Sequence, residues 1–369
     1  MTPLRIGVDA RELLGATTGV GRYLAELLRR WTAGQDHHRR FLLYSPEPLT
    51  IPLPRDAVEH RLVAARGRPG RGTWWEQMHL RRAVAADHPD VFFAPAYTAP
   101  RLRGIPLALT IHDISFVAHP EWFRIREGTR RRWLTRRSAE AAAVIFTDSE
   151  FSRSEIEKHF HIERSRVRVI TPGLAPRHDA PGTERSPGSR PVVLYVGSIF
   201  NRRRVPDLIA AFAQVAREIS DARLVIVGED RSWPPQSLPA VAAAHGVASQ
   251  VDLRSYVPDE ELGAVYREAS VFAFLSEYEG FGLTPLEALA VGVPIVVLDT
   301  AVAREVYGDA AFYVPAGEIR TTADVLIRLL RNPAEKETVL RHAPAVLTRY
   351  SWDRCAAQTL AEIERIARR

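Results

Sequence analysis

The alternation of short apolar runs with helix-length segments constrains the fold of this chain more than any other feature. The runs consist of β-branched and aliphatic residues, as expected for strands that are buried on both faces of a parallel sheet. Doubly wound α/β domains, with helices covering both faces of each sheet, are therefore predicted. The predicted strands are 4–8, 41–44, 91–93, 107–111, 144–147 and 167–170, then 192–196, 224–227, 251–253, 271–275 and 295–298.

A break between two such patterns predicts two domains. The chain has 369 residues, more than one core of about 150 residues accommodates. Residues 176–191 are rich in proline and glycine and lack apolar periodicity, which is typical of a linker. We therefore predict domains over 1–180 and 181–350. Because open α/β sheets bind ligands outside the carboxyl ends of their strands, we expect the chemistry in a cleft between them.

Composition excludes several classes of protein. The single cysteine, Cys355, leaves no disulfide framework and no cysteine-based zinc site. The histidines lack the His-Glu-x-x-His spacing of zinc hydrolases. The first residues show no apolar signal core, and no apolar run approaches the roughly 20 residues of a membrane span. A cytoplasmic protein is predicted, with any membrane contact peripheral.

Positive charge is concentrated in one stretch of the first half. The net charge is +6, and the stretch from Arg124 to Arg137 interleaves arginines with Trp122, Phe123, Trp133 and Leu134. One interpretation is a solvated helix face. The other is a surface for anionic lipid or for a phosphate-bearing acceptor. No nucleic-acid-binding motif accompanies the charge, so nucleic acid is not an expected partner.

The most informative motif is the segment 275–290, which follows a predicted buried strand. Two glycines there make a tight turn, and Thr284 and Pro285 suit the opening of a helix. Free N–H groups at such a helix start favour phosphate. The carboxylates of Glu279 and Glu287 would then accept hydrogen bonds from sugar hydroxyls on either side. The alternative is an ordinary strand–helix turn with two surface glutamates.

A second turn, 196–206, carries Arg202 and Arg203 between another strand and helix. Arginine binds phosphate in bidentate geometry, and positive charge stabilises a departing nucleoside diphosphate. A solvated basic turn is the alternative interpretation.

Two further features follow strands of the first half. Gly19 and Gly21 lie in a loop, but Leu24 stands where a dinucleotide fingerprint requires glycine, so a glycine loop lining the cleft fits better than NAD binding. His112 ends a predicted strand on the cleft side. A single histidine is more often structural, but the carboxyl end of a strand favours a functional role.

These segments together resemble a retaining glycosyltransferase of family four, with the two-domain GT-B fold. The resemblance runs along nearly the whole chain. It includes residues 19–23, the His112–Asp113 pair, residues 149–152 and the loop 279–282. Its most specific element is the pair Glu279 and Glu287, separated by seven residues, in a strand–loop–helix setting of the second domain.

The resemblance assigns roles to individual residues. It implies that Glu287 holds the nucleotide ribose, that Glu279 contacts the donor sugar and that His112 faces the reacting carbon. Catalysis would rest on His112, Glu279 and Arg203. The implied binding residues are Gly19, Gly21, Arg22, Asp113, Ser198, Arg202, Gly280, Phe281, Gly282, Leu283 and Glu287. The first domain would serve the acceptor, the second the nucleotide sugar, and residues 351–369 would form a helix that crosses back onto the first domain.

The turn that carries Arg203 departs from the family pattern. Similar enzymes usually carry lysine in place of Arg203, often followed by asparagine or glycine in place of Arg204, and many carry arginine in place of Ser198. Arginine keeps the charge of lysine but is larger and planar. We interpret Arg202 and Arg203 as retaining the phosphate contact.

The predicted reaction is transfer of a sugar from a nucleoside-diphosphate sugar to a hydroxyl of a glycan or lipid-linked acceptor, with retention of configuration. GDP-mannose or a related hexose donor is expected. As proposed for this fold, a β-phosphate oxygen would help to deprotonate the acceptor, while the protein positions the reactants and stabilises charge. No Asp-x-Asp motif occurs, so neither a metal nor another cofactor is predicted. The cytoplasmic location could include peripheral contact with an anionic inner membrane face through the Arg124–Arg137 stretch.

Other classes stay open at this stage. A non-catalytic sugar-nucleotide or polysaccharide-binding protein would keep Glu287 but lose the phosphate contact. An epimerase or phosphorylase shares the fold. A glycoside hydrolase also uses two carboxylates, but arginines beside a glycine turn favour a phosphate leaving group. An oxidoreductase would need the full glycine fingerprint, which is absent.

Overall fold

The structure, a computed structural model, describes residues 3–15, 19–34, 38–54, 56–64, 72–174 and 190–368. The chain forms two compact units. The first unit comprises Met1–Ala118, Arg126–Gly173 and Ser351–Arg369, and the second comprises His119–Ile125 and Leu174–Tyr350. The predicted domain boundary at 180/181 lies outside the described residues.

The first unit is built on a seven-stranded sheet with the strand order β3-β2-β1-β4-β5-β6-β7. Every strand pairing described in it is parallel. The central strands are buried on both faces, as their continuous apolar sequences require. The strands are β1 (Leu4–Asp9), β2 (Arg39–Ser45), β3 (Val58–Leu62), β4 (Val91–Ala94), β5 (Leu107–Thr110), β6 (Val144–Thr147) and β7 (Val167–Val169).

The second unit is built on a six-stranded sheet with the order β10-β9-β8-β11-β12-β13. Its described pairings are also all parallel. The predicted pair of parallel α/β sheets is confirmed. The strands are β8 (Val192–Val196), β9 (Arg223–Val227), β10 (Val251–Arg254), β11 (Val271–Phe274), β12 (Ile295–Leu298) and β13 (Ala311–Val314).

Helices connect the strands in both units. Parallel neighbours require such crossovers, which return the chain to the same end of the sheet. The helices are α1 (Gly19–Trp31), α2 (Arg81–Asp87), α3 (Ser115–Ala118), α4 (Ile125–Ala141), α5 (Glu150–Phe160), α6 (Val205–Glu218), α7 (Leu238–Ala244), α8 (Asp259–Glu268), α9 (Leu283–Ala290), α10 (Ala301–Tyr307), α11 (Ile319–Arg331), α12 (Pro333–Leu340), α13 (Ala343–Leu347) and α14 (Trp352–Ala367). A π-helix (Trp75–Leu80) and 3₁₀ turns at Arg11–Leu13, Pro120–Trp122, Arg164–Arg166, Asn201–Arg203 and Gly308–Ala310 complete the set.

The last helix, α14, belongs to the core of the first unit. Its apolar face packs with β1, β4 and α1 in one buried cluster. Trp31 of α1 donates its indole N–H to the carbonyl of Ala356 at 2.8 Å. A Cβ on Gly173 would lie 2.1 Å from the backbone nitrogen of Trp352, so only glycine permits this approach.

The helices of the described chain are too short or too polar to span a membrane.

Candidate functional site

The Arg202–Arg203 turn and the Glu279 loop of the second unit lie at the carboxyl ends of adjacent strands. The turn follows β8, the loop follows β11, and these two strands are paired. Since both strands run in the same direction, their carboxyl ends meet at one edge of the sheet. The backbone joins them as well, because the N–H of Glu277 donates to the carbonyl of Arg202 at 2.8 Å.

Arg203 and Glu279 form a buried ion pair at this edge. The guanidinium Nε donates to Oε1 of Glu279 at 2.8 Å and Nη2 donates to Oε2 at 3.2 Å. The third arginine nitrogen, Nη1, donates to the carbonyl of Ser198 at 2.8 Å. Only 14% and 13% of the two side chains are exposed. A bidentate contact with so little solvent fixes the orientation of both groups.

The ion pair keeps both groups charged despite their burial. Burial alone would raise the pKa of Glu279, but the positive charges of Arg203 and Arg202 and the hydrogen bonds from Arg203 and Ser276 outweigh it and lower that pKa. Burial would likewise lower the pKa of Arg203, and the Glu279 carboxylate raises it instead. Each charge is therefore stabilised chiefly by its partner.

Hydrogen-bonding capacity is left over on both partners. Three of the N–H groups of Arg203 are used in these contacts, and Arg203 also hydrogen-bonds the Tyr195 hydroxyl, whereas a guanidinium group has five N–H groups. Oε1 of Glu279 also accepts from the Ser276 hydroxyl at 2.8 Å, but Oε2 accepts only from Arg203 among these bonds. Some hydrogen-bonding capacity therefore remains on each side chain of the pair.

Arg202 and Arg204 have different surroundings. The Arg202 guanidinium lies 4.5 Å from the centre of the Phe200 ring. Its Nε is buried, has no hydrogen-bond partner within the described residues and lies 3.9 Å from Oε1 of Glu279. Arg204, in the left-handed region with φ 45°, instead pairs with Asp207 and Glu277. Arg202 is thus the second arginine that offers a donor to an anion here.

The glycine turn that ends the loop depends on one residue. Gly282 has φ 94°, and a Cβ there would lie 2.1 Å from the hydroxyl of Tyr307, which donates to the Gly282 carbonyl at 2.9 Å. Helix α9 begins directly afterwards, at Leu283. Thr284 and Pro285, which the sequence predicts at the helix opening, lie in the first turn of α9.

Glu287 lies within α9 and is only 6% exposed. Its Oε2 accepts a hydrogen bond from the Tyr266 hydroxyl of α8 at 2.9 Å. The Tyr266 hydroxyl thus holds the Glu287 carboxylate in place from a neighbouring helix.

A small cavity opens beside Glu279 between the ends of β11 and β12 and helix α10. Glu279, Phe281, Thr300 and Tyr307 contribute to its wall. Phe281 is mainly a packing residue, because it is 5% exposed and contacts Tyr350 edge-on at 5.0 Å. Its neighbour Gly280 is also buried.

In the first unit, His112 and Asp113 follow β5. The His112 ring lies with Nδ1 2.8 Å from Oδ2 of Asp148 and Nε2 3.1 Å from the Pro95 carbonyl oxygen. The Tyr23 ring of α1 contacts it edge-on at 5.0 Å. Asp113 accepts from the backbone N–H and hydroxyl of Ser115 at 2.8 and 2.7 Å, which starts helix α3.

The predicted glycine loop lies only partly within the described chain. Gly19, Gly21 and Arg22 form the first turn of α1, with Gly21 buried and Gly19 exposed. Residues 16–18 lie outside the described residues. Tyr23, which follows Arg22, connects this turn to His112.

The arginines of the basic stretch from Arg124 to Arg137, which the sequence analysis considers as one surface, have different surroundings in the structure. Arg124 belongs to the second unit and lies 4.7 Å from the centre of the Trp233 ring. Arg131, on α4, faces the rings of Tyr97 and Phe116, and Leu134 is buried. What remains is an exposed face of α4, with Arg126, Arg130, Trp133 and Arg136.

Several polar residues around these sites were not identified in the sequence analysis. In the second unit they are Tyr266 and Ser276. In the first they are Asp148 and a buried cluster in which Arg11 contacts both Asp9 and Glu76, while burial raises the pKa of Asp9 to about 6. Asp148 and Asp9 follow or end apolar strands, the signal that identified His112.

No group of three or more His, Cys, Asp or Glu side chains that could hold a metal ion occurs in the described chain.

Comparison with curated proteins shows likeness over the whole chain. O-antigen chain mannosyltransferase B of Escherichia coli is 28% identical, with 93% of this chain and 95% of that protein aligned. Alpha-D-kanosaminyltransferase of Streptomyces kanamyceticus is 25% identical, over 85% of this chain and 86% of that protein.

Solved structures share the fold. WaaG, a glycosyltransferase involved in lipopolysaccharide biosynthesis, superposes with a TM-score of 0.76 at 18% identity, covering 97% of this chain and 99% of that one. Anabaena Alr3699/HepE, solved in complex with UDP-glucose, gives a TM-score of 0.75 at 15% identity, covering 98% and 99%. The two parallel-sheet domains are those of the GT-B fold.

Two family models account for most of the sequence. Residues 17–178 match the model described as Glycosyltransferase Family 4. Residues 177–344 match the model described as Glycosyl transferases group 1. Together with the shared fold, these matches confirm the family suggested by the sequence: the chain belongs to glycosyltransferase family four.

Proposed function

We propose that this glycosyltransferase moves a hexose from a nucleoside-diphosphate sugar to a hydroxyl of a glycan or lipid-linked acceptor, with retention of configuration and without a metal. The observation that supports this most is the buried Arg203–Glu279 pair, with Arg202 beside it at the carboxyl ends of β8 and β11. At this site the two arginines offer N–H donors to a diphosphate, and the Glu279 carboxylate offers an acceptor to a sugar hydroxyl.

The proposed chemistry uses the charges of that arrangement. As the bond between the sugar and the phosphate breaks, negative charge grows on the leaving diphosphate. Arg202 and Arg203 are fixed before the reaction and stabilise this charge without reorganisation. Glu279 binds a hydroxyl of the transferred sugar, and Glu287 binds the nucleotide ribose. A β-phosphate oxygen takes the proton of the incoming acceptor hydroxyl, so no protein nucleophile is required.

A mannose donor is our first choice, because a relative aligned along nearly the full chain is named as a mannosyltransferase. The test is to incubate the protein with GDP-mannose, other sugar nucleotides and candidate acceptors, and to analyse the products. Release of nucleoside diphosphate together with an α-linked product from an α-linked donor supports the proposal. A β-linked product contradicts retention, and an isomerised donor or a sugar phosphate indicates an epimerase or phosphorylase. Donor binding without turnover indicates a non-catalytic binder.

Glu287→Ala is expected to weaken donor binding about tenfold or more, since a hydrogen bond to a charged group contributes about 1.5–3 kcal/mol. A ligand that binds the folded state raises the melting temperature by mass action. Thermal shift with increasing GDP-mannose measures this effect. Glu337→Ala, at an exposed position of α12, is the matched control and should respond like the wild type. Equal donor-induced shifts in both variants would contradict the role of Glu287.

We further propose that the exposed face of α4 contacts the anionic cytoplasmic surface of a membrane. Trp133 is 58% exposed and lies 5.1 Å from the Arg137 guanidinium. Arg126, Arg130 and Arg136 surround it on the same exposed face. Aromatic and arginine side chains together are typical of helices that lie at the membrane interface.

Replacing Arg126, Arg130 and Arg136 with glutamine is expected to weaken binding to anionic vesicles on the order of 100-fold, at about 1 kcal/mol per arginine. Sedimentation with vesicles containing phosphatidylserine, compared with neutral ones, measures it. The control removes the same charge from α11, as Arg320→Gln, Arg328→Gln and Arg331→Gln. If the wild type bound anionic and neutral vesicles equally, or if both variants lost vesicle binding equally, the exposed face of α4 would be a solvated face only.

A further inference from the structure

Both ring nitrogens of His112 face hydrogen-bond acceptors. Nδ1 lies 2.8 Å from a carboxylate oxygen of Asp148. Nε2 lies 3.1 Å from the backbone carbonyl oxygen of Pro95. Neither oxygen can donate a proton to the ring when Asp148 is ionised.

This environment selects one protonation state of the ring. A neutral imidazole has one N–H donor and one lone-pair acceptor, whereas an imidazolium has two donors. In a neutral ring, one nitrogen lone pair would face an oxygen lone pair at hydrogen-bond distance. With the second proton, both contacts become hydrogen bonds, and the one to Asp148 becomes a charge-assisted ion pair.

The neighbouring groups favour the same state. Burial lowers the pKa of His112, but the charge of Asp148, its hydrogen bond, the charge of Asp113 and the Pro95 carbonyl outweigh burial and raise it. The other titratable groups that face the pair are Tyr23 on α1, Tyr97 in the loop after β4 and Cys355 on α14. Burial raises the pKa values of Tyr23 and Cys355, so both stay neutral near pH 7.

The loop that carries Pro95 and the backbone of His112 are each fixed by a hydrogen bond. The loop with Pro95 continues into Tyr97, whose backbone has a φ of 56°. Such a conformation is unusual for a residue with a side chain, and its N–H donates to the carbonyl of Thr110 at 2.8 Å. Asp148 follows β6, and the Ser152 hydroxyl of α5 donates to the His112 carbonyl at 3.2 Å. Three elements therefore converge on one histidine.

We propose that Asp148 is a positioning residue of the transfer reaction, which holds His112 as a fixed imidazolium whose N–H groups point to Asp148 and Pro95. Held in this way, His112 contacts the transferred sugar with its ring edge and does not act as a proton acceptor. This inference rests on the proposed function and on the role at the sugar that the family resemblance implies for His112, and it adds a residue to which that resemblance assigns no role.

The inference predicts that turnover depends on pH and is lost at high pH. Because the pKa of His112 is raised in the folded protein, the imidazolium persists to higher pH than an ordinary histidine would allow. Turnover is then retained at neutral pH and lost as the pH rises through that raised pKa. Asp148→Asn removes the carboxylate while keeping the side-chain shape, so burial dominates and the pKa of His112 falls.

Asp148→Asn is therefore expected to move the high-pH limb of kcat/KM at least about one pH unit lower, as an opposite charge at this distance shifts a pKa by about 1–3 units. Turnover of the variant should recover as the pH is lowered. Glu155→Gln is the matched control, since Glu155 lies 3.6 Å from His159 on α5. A purely structural role for Asp148 would instead lower turnover equally at every pH.

Protonation is measured independently of activity by long-range ¹H–¹⁵N correlation spectra of the histidine rings. The His112 signal is assigned from its disappearance in His112→Gln. Two protonated nitrogens at pH 7 in the wild type, and one in Asp148→Asn at the same pH, support the inference. One unprotonated nitrogen in the wild type, or an unmoved pH limb in Asp148→Asn, overturns it. Absence of transfer with every donor would refute the proposed function instead, and the spectra would still report the ring.

Discussion

Glu279→Gln is expected to lower turnover about 100-fold or more, with a smaller change in donor affinity. The substitution keeps the size of the side chain but removes the negative charge that orients Arg203 through two hydrogen bonds. Preorganised electrostatic groups of this kind contribute on the order of 100- to 1,000-fold to catalysis. Initial rates at saturating GDP-mannose measure the effect, and thermal shift reports donor binding separately.

Glu277→Gln is the matched control for this prediction. Glu277 lies two residues earlier in the same loop, carries the same charge and pairs with Arg204 instead of Arg203. Its side chain is 32% exposed, and exposed pairs contribute only about 0–1 kcal/mol. We expect it to retain turnover within about twofold. A Glu279→Gln enzyme as active as this control would contradict the assigned role of Glu279.

Sequence patterns predict all the interior strands and two of the four edge strands, β7 and β10. Strands with continuous apolar runs, such as β6 and β12, match the prediction at both ends. The two strands that the prediction omits, β3 and β13, are edge strands of their sheets. β3 has the sequence VEHRL and is partly exposed along its length. A strand with one neighbour needs less apolar surface, so its sequence carries less signal.

The same contrast applies to the candidate site. Glycine spacing and the position after a strand identify the turns that carry Arg203 and Glu279, because these features are local in sequence. The contact between the two residues joins positions 76 apart, and the Tyr266–Glu287 hydrogen bond joins positions 21 apart. Such pairings depend on strand order, which local patterns do not encode. The assignment of Arg124 to a different unit from Arg126 and the rest of the basic stretch likewise depends on tertiary structure.

The Arg203–Glu279 geometry uses contacts that lysine, the residue that the family resemblance leads us to expect at position 203, could not make. Nε and Nη2 bind Glu279 while Nη1 binds the Ser198 carbonyl. A lysine ammonium has three donors at one point and cannot span the same partners. A Cβ at position 197 would lie 2.6 Å from Nη1 of Arg203, so Gly197, with φ 145°, makes room for the larger group.

Arg203→Ala is expected to reduce both stability and turnover, because it leaves the buried Glu279 carboxylate without its main partner. Breaking a buried ion pair in this way costs about 3–5 kcal/mol, and the lost charge should lower turnover about 100-fold or more. Arg203→Lys keeps the charge but not the bidentate contact, and should fall between Arg203→Ala and the wild type. Chemical denaturation and initial rates measure the two effects.

A double variant separates the structural effect of Arg203 from its catalytic effect. In Arg203→Ala/Glu279→Gln the unpaired buried charge is gone, so the free energy of unfolding should recover much of the loss seen in Arg203→Ala. Turnover should stay low, because neither charge is restored. Arg204→Ala, which disrupts a pair that is 30% and 32% exposed, is the control and should change stability by less than about 1 kcal/mol. If turnover recovered together with stability in the double variant, Arg203 would be a structural residue only, and the charge that stabilises the leaving diphosphate would have to come from Arg202.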